Sequence, residues 1–140
     1  MEVKGRFSEN IFTSLDIDIK PEIINISTID PQAYEYYLKS KYKYETRSSN
    51  EDLNVSIGLL EESISIDNEF LTAKNLYGNI LIEIGDFDKA MEIFNDNLNL
   101  SKELNNTESL SQTYNSLGNL YYYKGDQEKS IEYTARGLTI

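Results

Sequence analysis

The chain of 140 residues has no cysteine, no histidine and no tryptophan. Without cysteine there is no disulfide and no thiolate nucleophile. Without histidine there is no Ser-His-Asp triad and no imidazole ligand for zinc or haem. Positive charge is also scarce: 13 basic residues stand against 24 acidic ones, for a formal net charge of −11. That balance argues against duplex nucleic acid or an anionic membrane surface as the main partner, since both would be repelled. Apolar runs are only a few residues long, too short to span a bilayer. The opening segment MEVKGRFSEN lacks the apolar stretch of a secretory signal. A soluble, cytoplasmic protein that is not an enzyme and needs no cofactor or metal is the expectation. Its length allows one domain to bury a core without staples.

Proline is the next scarcity. Pro21 and Pro31 are the only two, so residues 32–140 have none. A long proline-free stretch punctuated by single glycines suits successive helices. Residues 1–30 differ. A short helix is conceivable over 7–15, the alternation Ile17-Asp18-Ile19 is strand-like, and Pro21 interrupts any helix there. This segment is expected to be irregular, a remnant of a preceding domain, with a helical domain over 31–140. Asp30-Pro31 reads as a helix start, an Asp N-cap before Pro at the first helical position. The spacing then predicts helices over about 31–46, 52–66, 70–84, 86–104, 108–124 and 126 to the end. Gly85-Asp86 and Gly125-Asp126 stop one helix and cap the next.

These helices repeat in pairs. Tyr77-Gly78-Asn79 aligns with Leu117-Gly118-Asn119, and Gly85-Asp86 then falls on Gly125-Asp126 at an offset of 40 residues. Ala90 falls on Ser130, Phe94 on Thr134 and Leu98 on Leu138. Stepping back 34 residues from Ala90 reaches Ser56, with Leu60 opposite Phe94 and Ile64 opposite Leu98. In this earliest unit Tyr37-Leu38-Lys39-Ser40 stands where the others carry Leu/Tyr-Gly-Asn, and about four extra residues are assigned to the turn. A Gly in one helix facing a small residue in its partner lets two backbones approach closely. Each pair leaves an apolar face that the next pair covers.

LYGNILIEIGDFDKAMEIFNDNL and LGNLYYYKGDQEKSIEYTARGL resemble tetratricopeptide repeats (TPR). The matching letters are Gly78 and Gly118 at repeat position 8, Leu81 and Tyr121 at position 11, and Ser56, Ala90 and Ser130 at position 20. Departures occur at position 27, usually Ala, which holds Ser63, Asn97 and Gly137. The resemblance implies an all-α, right-handed α-solenoid of about three helix-turn-helix pairs that binds a protein or peptide segment. Asp30, Pro31, Ala33, Tyr34, Tyr37, Leu38 and Lys39 are similar to the first repeat that follows a TolB-like segment in bacterial adenylate/guanylate cyclases and transcriptional regulators. That likeness implies a piece of a larger signalling protein.

By the family pattern, positions 2, 5, 9, 12 and 13 of each first helix face a concave groove. The third unit then offers Gln112, Asn115, Asn119, Tyr122 and Tyr123, and the second Thr72, Asn75, Asn79, Ile82 and Glu83. The first offers Tyr34, Tyr37, Lys41, Tyr44 and Glu45. Asn75/Asn79 and Asn115/Asn119 are one helical turn apart, and an amide side chain both donates and accepts, which suits an extended peptide backbone. The competing account is that these Asn satisfy helix ends or face water in an Asn-rich chain. The family's clamp for a C-terminal carboxylate is not expected, because the corresponding positions hold Tyr37, Lys41, Asn79, Gln112 and Ser116, with little basic charge. Tyr42 and Tyr121 are expected in the core. Lys39, Lys41, Lys43 and Arg47 among the first tyrosines could stack a single strand of nucleic acid, but a solvated helix face is favoured. The acidic pairs Glu61-Glu62 and Asp86-Asp88 are assigned to surfaces and helix starts. The alternative function is self-association, a homodimer through the C-terminal helix with Ile131, Leu138 and Ile140 exposed.

Overall fold

The structure, a computed structural model, describes residues 29–140. The expectations for the segment before Ile29 lie outside the described residues. Six helices follow: α1 (Pro31–Glu45), α2 (Asn50–Ile66), α3 (Leu71–Glu83), α4 (Phe87–Glu103), α5 (Thr107–Tyr123) and α6 (Gln127–Leu138). Their ends fall within about two residues of those expected, because capping chemistry writes them into the sequence. The Asp30 carboxylate accepts from the backbone N–H groups of Gln32 and Ala33, ahead of Pro31. Ser49, Asp86, Asn106 and Asp126 each accept from the N–H three residues on. Each such cap is typically worth about 1 kcal/mol.

Three of the turns share one geometry. Gly85 and Gly125 adopt φ of 86° and 85°, and Asn105 adopts φ of 53°. The following N–H in each turn (Asp86, Asn106 or Asp126) donates to the carbonyl five residues back, at 2.9 Å in every case. This left-handed closure satisfies the last carbonyls of one helix and places the next N-cap at once. Glycine takes the conformation freely, and Asn is the residue that tolerates it next best.

The helices pair as hairpins, α1 with α2, α3 with α4 and α5 with α6, and the hairpins stack through α2–α3, α4–α5 and α3–α5 contacts. Among the described residues the chain is therefore an all-helical α-solenoid with no strand. The core runs continuously through the stack, with Tyr34, Tyr37, Leu53, Leu60, Phe70, Ile80, Leu81, Phe94, Leu117 and Leu120 buried. Burying one large apolar side chain fully contributes about 1.5–3 kcal/mol, so this shared core, rather than any single helix, holds the array.

The hairpin crossings depart from the sequence expectation in an informative way. At Gly78 the neighbour that excludes a side chain is the Phe94 ring in α4, four residues beyond the small Ala90. At Gly118 it is Thr134 with the Ser130 carbonyl. In the first hairpin Ser40 and Ser56, both fully buried, bond reciprocally: Ser40 Oγ donates to the Ser56 carbonyl at 2.8 Å and Ser56 Oγ to the Ser40 carbonyl at 3.2 Å. Two hydroxyls thus stand in for the glycine contact, each finding its partner on the opposing backbone. The extra length of this hairpin is mostly helix rather than turn. Residues 46–49 link α1 to α2, whereas 84–86 link α3 to α4, and the other added residues lengthen the start of α2.

The unusual residues at position 27 also have a common reason. Ser63 Oγ donates to the Ala33 carbonyl at 2.6 Å, and Asn97 Nδ2 donates to the Leu71 carbonyl at 3.3 Å. In the third hairpin the direction reverses, and Ser111 Oγ donates to the Gly137 carbonyl at 2.7 Å. Each unit thus ties the end of its second helix to the start of its first. Asn97 also donates to Thr113 Oγ1 at 3.3 Å, which links the second hairpin to the third. Tyr42 corrects the core expectation: its side chain is 69% exposed. Tyr121 is half-buried, stacked on Tyr133 with ring centroids 5.3 Å apart.

Candidate functional site

The first helices of the hairpins, α1, α3 and α5, line a cleft of about 600 Å³. Its walls are Tyr44 of α1, Leu76, Asn79, Ile82 and Glu83 of α3, and Asn119 and Tyr123 of α5. Ile84 and Gly85 of the α3–α4 turn and Phe87 at the start of α4 complete the lining. Positions one helical turn apart on adjacent helices share this face, so amide, aromatic and aliphatic groups converge from three successive repeats.

Of the residues expected to face a groove, Tyr44, Asn79, Ile82, Glu83, Asn119 and Tyr123 meet here. Tyr122 is exposed and packs edge-on against Tyr123 at 5.7 Å, beside the cleft rather than in its wall. Asn75 is half-buried and accepts a hydrogen bond from Ser116 Oγ at 3.2 Å, so it serves the joint between α3 and α5. Asn115 leans the other way: its amide covers the backbone of Gly137 in α6, where a Cβ would come 2.6 Å from Asn115 Oδ1. The two pairs Asn75/Asn79 and Asn115/Asn119 therefore do not act as matching pairs on one surface. Gln112 lines a separate shallow hollow with Ser111, Gly137, Leu138 and Ile140. Lys41 is half-buried in the middle of α1, outside the cleft wall.

Tyr37 is corrected from groove to core. Its side chain is 4% exposed, its ring 5.1 Å from Phe70 and 6.0 Å from Tyr34, which is buried as well. The Tyr34, Tyr37 and Phe70 rings pack together under α1, which takes Tyr37 out of the groove.

Arg47, expected on a solvated helix face, lies instead in the α1–α2 link. It reaches Glu83 across 36 residues, Nε to Oε2 at 2.8 Å and Nη2 to Oε1 at 3.0 Å. Its Nη1 donates to the Tyr44 carbonyl at 2.8 Å, and its guanidinium lies 4.2 Å from the Tyr44 ring centroid. Tyr44 Oη donates to Glu83 Oε1 at 2.9 Å. Burial, then the hydrogen bond to and the negative charge of Glu83, push the Tyr44 phenol above its ordinary value. No local pattern announces a pair so far apart in sequence; the turn and the end of α3 meet only after the hairpins stack.

Elsewhere, polar clusters serve structure. Tyr77 Oη donates to Glu61 at 3.0 Å, with Lys89 Nζ 3.8 Å from the same carboxylate. Burial of Tyr77 raises its phenol pKa, and the hydrogen bond with Tyr77 is the main cause raising that of Lys89. Lys74, 8% exposed, reaches Asp96 at 3.0 Å. Among the described residues no group of three or more acidic side chains could hold a metal ion, and no helix is long and apolar enough to cross a membrane.

The arrangement defines a class first: a helical-hairpin repeat protein whose first helices present a mixed polar and aromatic face. The chain belongs to the tetratricopeptide repeat family, whose model matches residues 69–140. The match covers the second and third hairpins; the first, with its serine crossing, lies outside it. A solved structure titled "Crystal structure of MamA" shares the fold, with a TM-score of 0.62 at 19% identity, over 77% of this chain and 57% of that one. The chain thus spans less than two thirds of MamA's length. No curated protein matches. Family membership supports a scaffold role in protein interaction.

Proposed function

We propose that the chain is a peptide- or protein-binding module of a larger bacterial signalling or regulatory protein, working in the cytoplasm, and that the cleft between α1, α3 and α5 holds the partner. The observation that carries this is the convergence of Asn79 and Asn119 with Tyr44 and Tyr123 on one face. The amides can donate to and accept from an extended backbone, while the rings supply apolar area at low entropic cost. The test is selection from a displayed library of random peptides on the immobilised protein. Asn79→Ala/Asn119→Ala should weaken the selected binders about tenfold or more while leaving the circular-dichroism melting curve in place. Unchanged capture by the double variant sinks the groove assignment.

A second reading is self-association, favoured by the apolar surface of the last helix. Ile131 is 71% and Leu138 80% exposed. Light scattering that shows a dimer, abolished by Leu138→Lys, would support it; a monomer at high concentration would rule it out.

A further inference from the structure

The cluster around Glu83 goes beyond what a peptide groove requires. It engages all three nitrogens and one face of a guanidinium group: a carboxylate faces two of the nitrogens, a backbone carbonyl the third, and an aromatic ring lies against its plane. The carboxylate itself is oriented by the Tyr44 phenol. This is the full complement that distinguishes arginine from lysine, whose ammonium is a point charge without a plane to stack or a fork to match. The guanidinium now held there comes from the protein's own α1–α2 link. Both partners of the pair remain about one-third exposed, at 35% and 36% of their side-chain surface. An ion pair exposed to this extent is weakly held and open to exchange. Glu83 and Tyr44 also belong to the cleft wall, beside Asn79, Asn119 and Tyr123. The net charge of −11 draws cationic segments to the surface.

We propose that Glu83 and Tyr44 form an arginine receptor at one end of the cleft, that Arg47 fills it in the free protein, and that the partner is a peptide segment whose own arginine displaces Arg47. This rests on the cleft being the binding face. Arg47 then acts as an internal competitor: the receptor is preformed, but only the fraction of molecules with Arg47 released can take the partner's side chain. Removing Arg47 should tighten binding, whereas removing the Glu83 charge should abolish the preference for arginine.

The test uses the peptides selected from the random library on the wild-type protein. The expected result has four parts. The binders share an arginine; replacing it with lysine weakens them about tenfold; Glu83→Gln weakens them to a similar extent; and Arg47→Ala tightens them about three- to tenfold. Arg47→Gln, which keeps a polar side chain on the exposed link, should tighten them too. If Asn79→Ala/Asn119→Ala abolishes binding but the peptides need no arginine, or if binding is indifferent to Glu83→Gln and to both Arg47 variants, the arginine receptor is wrong and the groove stands. If the peptides ignore the double asparagine variant, or none is selected, both are wrong. Weaker binding by both Arg47 variants identifies the Arg47–Glu83 pair as a structural clamp and overturns the proposal.

Discussion

Gly78→Ala is the substitution whose outcome the packing decides most sharply. A Cβ built on Gly78 would lie 2.5 Å from Phe94 Cζ, 3.0 Å from Cδ1 and closer still to Cε1. Phe94 is fully buried, so its ring has no solvent to retreat into. Overpacking of this kind costs about 1–3 kcal/mol. Against it stands the gain of replacing glycine by alanine inside a helix, about 0.5–1 kcal/mol. The sterics win, and the net loss should be about 0.5–2 kcal/mol. Gly58 in α2 is the control, since nothing lies within 4 Å of its Cβ position. Gly58→Ala should therefore gain most of the propensity term, about 0.5–1 kcal/mol. Gly118→Ala should fall between them: its contact is the exposed Thr134 side chain, which can rotate, although the Ser130 carbonyl at 3.1 Å cannot. Urea unfolding followed by circular dichroism gives the order directly. Phe94→Leu removes the far ring atoms, so the Gly78→Ala penalty should shrink by about 1 kcal/mol in that background. A Gly78→Ala protein as stable as the parent, or a penalty unchanged by Phe94→Leu, refutes the close-approach account.

Other consequences can be measured in the same way. Ser40→Ala and Ser56→Ala each remove one buried hydrogen bond of the reciprocal pair and should cost about 1 kcal/mol apiece; no loss from either would show that the hydroxyls merely fill space. The phenols of Tyr44 and Tyr77 have pKa values raised above 10.0 in the folded state, so folding favours their neutral forms. Their contribution is fully present below pH 10 and is lost as pH rises through the higher folded values, so stability should fall on the alkaline side. Tyr44→Phe/Tyr77→Phe should flatten the decline in urea midpoint as pH rises above about 10, and parallel curves for variant and parent would contradict this.

What the sequence alone determined is whatever depends on near neighbours. The caps Asp30, Asp86 and Asp126, the left-handed glycines Gly85 and Gly125 and the proline-free interior act within a few residues of themselves. Helix number and ends were therefore legible, and the repeat of Gly-Asn and Gly-Asp pairs made the family visible. The groove was legible only in part. Tyr44, Asn79, Ile82, Glu83, Asn119 and Tyr123 are placed by repeat position alone. Tyr37 and Tyr42 each lie opposite to the expectation: Tyr37 is buried against Phe70, and Tyr42 faces solvent. Tertiary structure alone decided three further things. Asn75 and Asn115 were drawn into joints by Ser116 and Gly137. Ser40 and Ser56 were matched across a hairpin that sequence could only align. Arg47 was carried to Glu83, 36 residues away. Hydrogen bonds and ion pairs of that reach have no period along the chain; they exist only once stacking has brought two surfaces within about 3 Å.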